Sequence, residues 1–279
     1  MTRPRQTHGI LNPARGFEHF RLVRLEPSSA LAPFVERYWI VRWDLTGRPP
    51  YLSETLPHPS VHVSIADGQG EVHGVGTRRF EKKLEGVGRV FGVKFTGPGF
   101  RPFLSEPVAM LTDRVLAIED VLGAAAKKLA RDVSALDDEG ARDAIEAFLT
   151  ARRPVVSAEL RLVHRLVESA RSDRALARVE DLVQLGDVGP RALQRLFREH
   201  VGVGPKWVIR RFRIHDAAER CREGACPDWA ALAQELGYFD QAHFSRDFKA
   251  QTGRTPSDYV RDCRVAAVEK SRPTTAESL

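Results

Sequence analysis

The spacing of apolar residues along the chain changes once. From Phe20 to about Leu111 they come in short alternating runs punctuated by glycine and proline, the period-two texture of half-buried strands. Tyr38-Trp39-Ile40-Val41-Arg42-Trp43, Val61-His62-Val63-Ser64-Ile65 and Val90-Phe91-Gly92-Val93-Lys94-Phe95 predict three of these strands. Short, evenly spaced strands predict a small barrel or sandwich. From Ile118 the period lengthens to that of helices, over Ile118 to Val133, Asp137 to Leu149 and Ser157 to about Ala170, with Leu160, Val163, His164 and Val167 on one stripe of the last. Shorter helices follow at about Ala177 to Leu185, Pro190 to His200, Pro205 to Arg222, Trp229 to Leu236, Gln241 to Gln251 and Pro256 to Arg264. The expected organisation is a loose arm over 1–19, a β-rich domain over 20–116, a helical linker over 117–156, an all-α domain over 157–265 and a disordered tail over 266–279. The fold class is α+β.

Among the helices a single pattern is written twice, fifty-one residues apart: Leu193-Gln-Arg-Leu-Phe-Arg-Glu-His-Val-Gly-Val-Gly-Pro205 and Phe244-Ser-Arg-Asp-Phe-Lys-Ala-Gln-Thr-Gly-Arg-Thr-Pro256. Leu193 pairs with Phe244, Arg195 with Arg246, Phe197 with Phe248, and Gly202 with Gly253. Each copy is a short helix with apolar residues at i and i+4, closed by glycine and followed by proline. In the second copy Ala231, Leu232 and Leu236 give a leading helix its inner face, Gly237 makes a turn, and Asp240 is placed to cap the next helix. That is a helix-turn-helix, whose second helix enters the DNA major groove. Phe244 and Phe248 turn inward, which leaves Gln241, Ala242, His243, Ser245, Arg246 and Lys249 nearer the surface. Arg246 suits guanine O6 and N7, and Gln241 suits adenine. In the first copy Leu193 and Phe197 turn inward and Arg191, Gln194, Arg195 and Arg198 outward. A continuous helix from Pro205, carrying Arg210, Arg211 and Arg213, joins the copies; at about 27 Å it could hold two recognition helices in successive major grooves about 34 Å apart.

Charge changes this picture little. The 279 residues carry 43 basic and 37 acidic side chains, a net of +6, and 42% are hydrophobic, enough for two cores. Between Ser172 and Arg264 the net is only +2, so an anion-binding surface requires segregation of charge onto one face. Three cysteines, Cys221, Cys226 and Cys263, are no disulfide framework and point to a reducing compartment. With no apolar leader at the start and no run of about 18 apolar residues, the expectation is a soluble, cytoplasmic protein that does not engage a membrane.

The segments Arg191-Ala-Leu-Gln-Arg-Leu-Phe-Arg-Glu-His-Val-Gly-Val-Gly-Pro205 and Gly237-Tyr-Phe-Asp-Gln-Ala-His-Phe-Ser-Arg through Tyr259 strongly resemble the AraC/XylS family of bacterial transcription regulators, over about Ala177 to Arg261. The resemblance implies base contacts from Arg191, Gln194 and Arg195 in the first helix and from Gln241, Ala242, His243 and Arg246 in the second; Arg198, Lys206 and Lys249 are expected on the phosphate backbone. The first turn departs from the family pattern, which has glycine, an apolar residue and serine where this chain has Asp187-Val188-Gly189. Either Gly186 shifts to make that turn or Asp187 caps the helix. Double-stranded promoter DNA is the expected partner, together with a small-molecule effector, RNA polymerase if the protein activates, and a second copy of the chain in a homodimer.

The β-rich region resembles a poorly characterised sensor-type domain found ahead of this unit, on Leu56-Pro-His-Pro-Ser-Val-His-Val-Ser64 and Gly92-Val-Lys-Phe-Thr-Gly-Pro-Gly99. That resemblance implies a cupin-like barrel followed by dimerising helices. Trp39, Trp43, His58 and His62 are its candidate ligand pocket. An alternative gives His58, His62 and His73 to a metal in a cupin-type enzyme fused to a DNA-binding domain, though no His-x-His pair occurs and Val61, Val63 and Ile65 explain the strand as a wall. A further alternative leaves the front domain to dimerise only. No nucleophile with its base, phosphate-binding glycine loop or carboxylate pair stands out, so neither catalysis nor a cofactor is expected.

Overall fold

The computed structural model describes residues 9–222 and 228–271; Cys226, the first residues of the expected arm and the end of the expected tail lie outside the described residues. The front half contains a short helix α1 (Pro13–Gly16) and strands β1 (Arg21–Leu25), β2 (Val35–Asp44), β3 (Tyr51–Thr55), β4 (His62–Ala66), β5 (Gln69–His73), β6 (Phe80–Leu84), β7 (Val87–Phe95) and β8 (Val115–Ala117). Six strands form one antiparallel sheet in the order β1-β2-β7-β4-β5-β8, and β3 pairs with β6 in a separate ribbon. The expected β-rich front is present, built as a sheet and a ribbon. Alternation divides the large sheet into two faces. Tyr38, Ile40, Val63, Ile65, Phe91 and Val93 are buried on one face against helices α2 (Ile118–Leu122), α3 (Ala124–Ala135) and α4 (Asp138–Thr150). On the other face Leu22, Val41 and Trp43 meet Phe20, Leu45, Tyr51 and Leu84, which seats the ribbon.

Two sequence expectations change here. The helix expected from Ile118 to Val133 is two helices, because Gly123 at φ +83° turns the chain where a residue with a side chain would be strained. Residues 9–19, expected to be a loose arm, are packed. Leu11 is 1% exposed, and Asn12 accepts the Arg15 amide to cap a helix begun by Pro13. An apolar side chain in a short polar arm gains about 1.5–3 kcal/mol by such burial, enough to help tie the arm down.

The rear half is helical: α5 (Ala158–Ser172), α6 (Val179–Gly186), α7 (Pro190–His200), α8 (Pro205–Arg222), α9 (Trp229–Glu235), α10 (Gln241–Thr252) and α11 (Pro256–Ser271), the last continuing past its expected end. Two cores lie along α8. Val208, Ile209 and Phe212 join Val163, Leu166, Leu182, Leu193, Leu196 and Phe197. Ile214, Ala217, Ala218 and Cys221 join Leu232, Leu236, Phe244, Phe248 and Tyr259. The front half completes both, with Val75 in the first core and Leu11 and Leu56 in the second. No described helix is long and apolar enough to cross a membrane.

Candidate nucleic-acid interface

Each repeat places its second helix by burying one stripe. On α7, Leu193 and Phe197 are fully buried, while Arg191, Gln194, Arg195 and Arg198 are exposed. On α10, Phe244 and Phe248 are fully buried and Gln241, Ala242, Arg246 and Lys249 are exposed. His243 is half-buried, with its ring edge-on to Tyr238 at 5.2 Å and its Nε2 3.4 Å from Arg210 Nη2 of α8. Lys206 is exposed at the first turn of α8. The cations expected at DNA therefore share the polar surfaces of α7, α10 and the start of α8. Asp247, the acid on α10, points elsewhere: its carboxylate accepts from Tyr238 Oη at 2.7 Å and from Gln251 Nε2 at 2.8 Å. Burial and that carboxylate push the Tyr238 phenol well above its usual range, so it remains a donor. Arg195 lies 3.9 Å from Glu159 with both side chains more than half exposed, a pair too solvated to hold the guanidinium from another partner.

The two turns differ in chemistry. In the second, Gly237 lies at φ +76° and Asp240 Oδ1 accepts the His243 amide at 2.6 Å, the turn and cap read from the sequence. In the first, Asp187 itself takes the left-handed conformation, φ +49°, to end α6, and Gly189 precedes α7 with no side-chain cap. Pro190 at the first helical position compensates, because it brings no amide to satisfy and its φ is already helical.

The arginines of α8 depart from the simple picture of a basic rod. Arg210 is half-buried, whereas Arg211 is 0% and Arg213 1% exposed. Arg213 Nη2 donates to the carbonyls of Asp173 and Leu176, just past the end of α5. Arg211 Nη2 donates to the carbonyl of Thr77 at 2.7 Å in the front half, and its guanidinium lies over the Trp207 ring at 4.5 Å. Burial lowers the Arg211 pKa to about 10, still charged at neutral pH. From Arg211 to His215 every residue of this helix is buried, so Arg211 and Arg213 reach backbone carbonyls instead of solvent. The all-round apolar pattern of Val208, Ile209, Phe212, Ile214 and Ala217 was the available signal.

The front half grips the chain just beyond each recognition helix. Arg101 pairs with Glu199 at 2.6 Å and Thr112 Oγ1 donates to the Gly202 carbonyl at 2.7 Å, both at the end of α7. Beyond α10, Arg254 pairs with Glu54 at 2.6 Å, Arg79 Nη1 donates to the Thr252 carbonyl at 3.3 Å, and Tyr259 Oη donates to the Leu11 carbonyl at 2.5 Å.

The candidate ligand-pocket residues fall into three settings. Trp39 and His62 share the sheet face away from α2–α4, with ring centroids 6.5 Å apart, beside the buried Lys94, which pairs with the half-buried Glu36 at 2.8 Å. The indole of Trp39 lies across Gly92, where a Cβ would sit 1.9 Å from Trp39 Cε2. Trp43, further along that face, donates to the Glu85 carbonyl at 3.1 Å and packs under the ribbon. His58 leaves the group: it stacks on His215 of α8, centroids 4.1 Å apart, because the loop carrying it docks against the rear half. His62 and His73 stay together as cross-strand partners while His58 stacks on His215, so the three-histidine metal set is divided, and among the described residues no group of three His, Cys, Asp or Glu could hold a metal ion. A cavity of about 150 Å³ lies elsewhere, on the other face of the sheet, between Ile65, Phe91, Arg89 and Val133.

Residues 184–262 match a family described as a helix-turn-helix domain, and residues 23–117 match a domain of unknown function, DUF6597. A putative AraC-like transcription regulator of Streptomyces antibioticus is 34% identical over 122 residues, 43% of this chain and 38% of that protein. Another, from Streptomyces lividans, is 36% identical over 106 residues, 38% of this chain and 33% of that protein. The chain thus spans about a third of the length of these relatives. The crystal structure of ToxT from Vibrio cholerae superposes at a TM-score of 0.41 with 13% identity, covering 88% of this chain and 98% of that one, a score too low to match the two folds element by element. With two capped or proline-led helices presenting polar faces from one connecting rod, the rear of this chain is a helix-turn-helix domain similar to that of regulators named AraC-like, carried behind a DUF6597 domain.

Proposed function

We propose that this protein is a sequence-specific DNA-binding transcription regulator that places α7 and α10 in two successive major grooves of one duplex. The observation that carries the reading is the paired exposure of Arg191, Gln194 and Arg195 on one helix and Gln241, Ala242 and Arg246 on the other, on helices joined by an 18-residue rod of about 27 Å. Arg195 and Arg246 occupy equivalent positions and read guanine through O6 and N7; Gln194 and Gln241 read adenine. Arg198, Lys206 and Lys249 neutralise phosphate. His243, tied to Arg210 and Tyr238, contributes through its exposed edge and also orients α10.

In this reading the front domain is the responsive unit. Trp39 and His62 form the platform for a small-molecule effector, and a bound effector acts on DNA through the grips at the ends of α7 and α10. The apolar faces of α2–α4 are spent on the sheet, so a homodimer would use their outer, polar surfaces. Selection of sites from random duplex DNA with the full chain tests the proposal. The expected product has two enriched patches about 10 base pairs apart. Arg195→Ala should relax preference at one base pair of one patch and Arg246→Ala at one base pair of the other; enrichment of a single patch indifferent to Arg195 would remove the first repeat from the reading, and no enrichment with or without candidate effectors would count against the whole.

A further inference from the structure

Phe239 is 90% exposed, the most exposed of the large apolar side chains among the described residues. Its place makes that exposure unusual. It immediately precedes Asp240, the N-cap of α10, and an apolar residue there ordinarily folds back onto the fourth residue of the helix to fix the entry angle of the chain. That fourth residue is Phe244, and its ring is already enclosed by Trp229 at 6.3 Å, Tyr238 at 5.3 Å and Phe248 at 5.7 Å. The first repeat supplies the contrast: Val188, fifty-one residues earlier, is half-buried against its own core. Phe239 therefore has no role in holding its helix, and its ring stands in water beside the exposed Gln241 and Ala242.

We infer that Phe239 is a specificity-determining residue that packs its ring on the C5-methyl group of a thymine next to the bases read by Gln241. This rests on the DNA-binding reading above and adds to it a contact of another kind. The N-terminal end of a recognition helix is where base edges are met, and an apolar side chain there distinguishes thymine through its methyl group. Binding would also remove from water a ring that folding leaves exposed.

The test uses the full chain and the duplex selected by it, with each thymine replaced in turn by uracil, which deletes only the methyl. The wild type should lose affinity about four-fold at one position, a methyl group's worth of burial. Phe239→Ala should bind the parent duplex at least about five-fold more weakly and treat thymine and uracil alike at that position. Phe239→Leu should keep most of the discrimination. Because the side chain is exposed, neither variant disturbs the fold. Unchanged affinity for Phe239→Ala, with Arg246→Ala still weakened, overturns the inference and leaves DNA reading intact, as would be expected of a surface that docks another protein. Equal discrimination of uracil by wild type and Phe239→Ala also overturns it. A wild type that selects no duplex overturns both readings together.

Discussion

Arg246 and Lys249 stand three residues apart on one exposed surface of α10, yet their chemistry separates their roles. A planar guanidinium that meets two acceptors on one base loses a defined preference when removed, so Arg246→Ala should cost about 1–3 kcal/mol on the selected site and relax one base pair. Lys249→Ala should weaken all duplexes alike and reduce the salt slope by about one unit. Equal losses for Arg246→Ala on selected and random DNA would assign that arginine to the backbone. In the front domain, burial first, then Lys94 and His73, hold His62 down to a pKa of about 3, against about 6.5 when unfolded. Between those values the unfolded chain takes up a proton that folded His62 refuses. Its share of stability is complete above about pH 6.5 and is lost as the pH falls, by at most about 1.4 kcal/mol per unit. Urea unfolding at pH 7 and pH 5 should show a shallower loss for His62→Gln than for the wild type; the same slope in both would exclude His62 as the source.

The elements differ in how they are held, and the two recognition helices show it most directly. α10 depends on a side-chain cap, so Asp240→Ala should cost about 1 kcal/mol and weaken DNA binding through the second repeat. α7 has no side-chain cap; Gly189 has extended backbone and open space around its Cβ position, so Gly189→Ser should add a few tenths of a kcal/mol. Denaturant midpoints of the two variants should move in opposite directions, and a fall for Gly189→Ser would mean that the first turn relies on the freedom of glycine. Cap, proline and period were legible because each is settled by residues within one turn. The break at Gly123 was not, since a lone glycine in a helical pattern is usually tolerated and only the conformation at φ +83° reveals the stop.

At the scale of the molecule, the two halves share cores. Leu11, Leu56 and Val75 from the front pack into the two cores of the rear, and Arg211 reaches back to the carbonyl of Thr77. A fragment from Ser157 onwards would expose those sites to water, and it should melt below the full chain. Leu56→Ala in the full chain should cost about 2–5 kcal/mol, the range for emptying a packed site. Calorimetry of chain, variant and fragment provides the check, and a fragment as stable as the whole would show the shared packing to be dispensable. The same contacts tie the ends of α7 and α10 to one front domain, so a change there reaches both recognition helices together.

The helix periods, the repeat at fifty-one residues, the inward Leu193, Phe197, Phe244 and Phe248 and the cap at Asp240 could all be read along the chain. Each depends on neighbours a few positions away, and the hydrogen-bond geometry of a helix converts that spacing directly into a face. The outward arginines of α7 and α10 followed from the same arithmetic. Arg211 did not: its apolar neighbours indicate a helix buried all round, but its carbonyl partner lies 134 positions away, and that the front domain is what covers this side of α8 is not written near it. The separation of His58 from His62 and the exposure of Phe239 belong with it. Burial is a property of what packs against a residue: for Arg211 and His58 that is decided by how distant segments dock, and for Phe239 by the rings that already enclose Phe244.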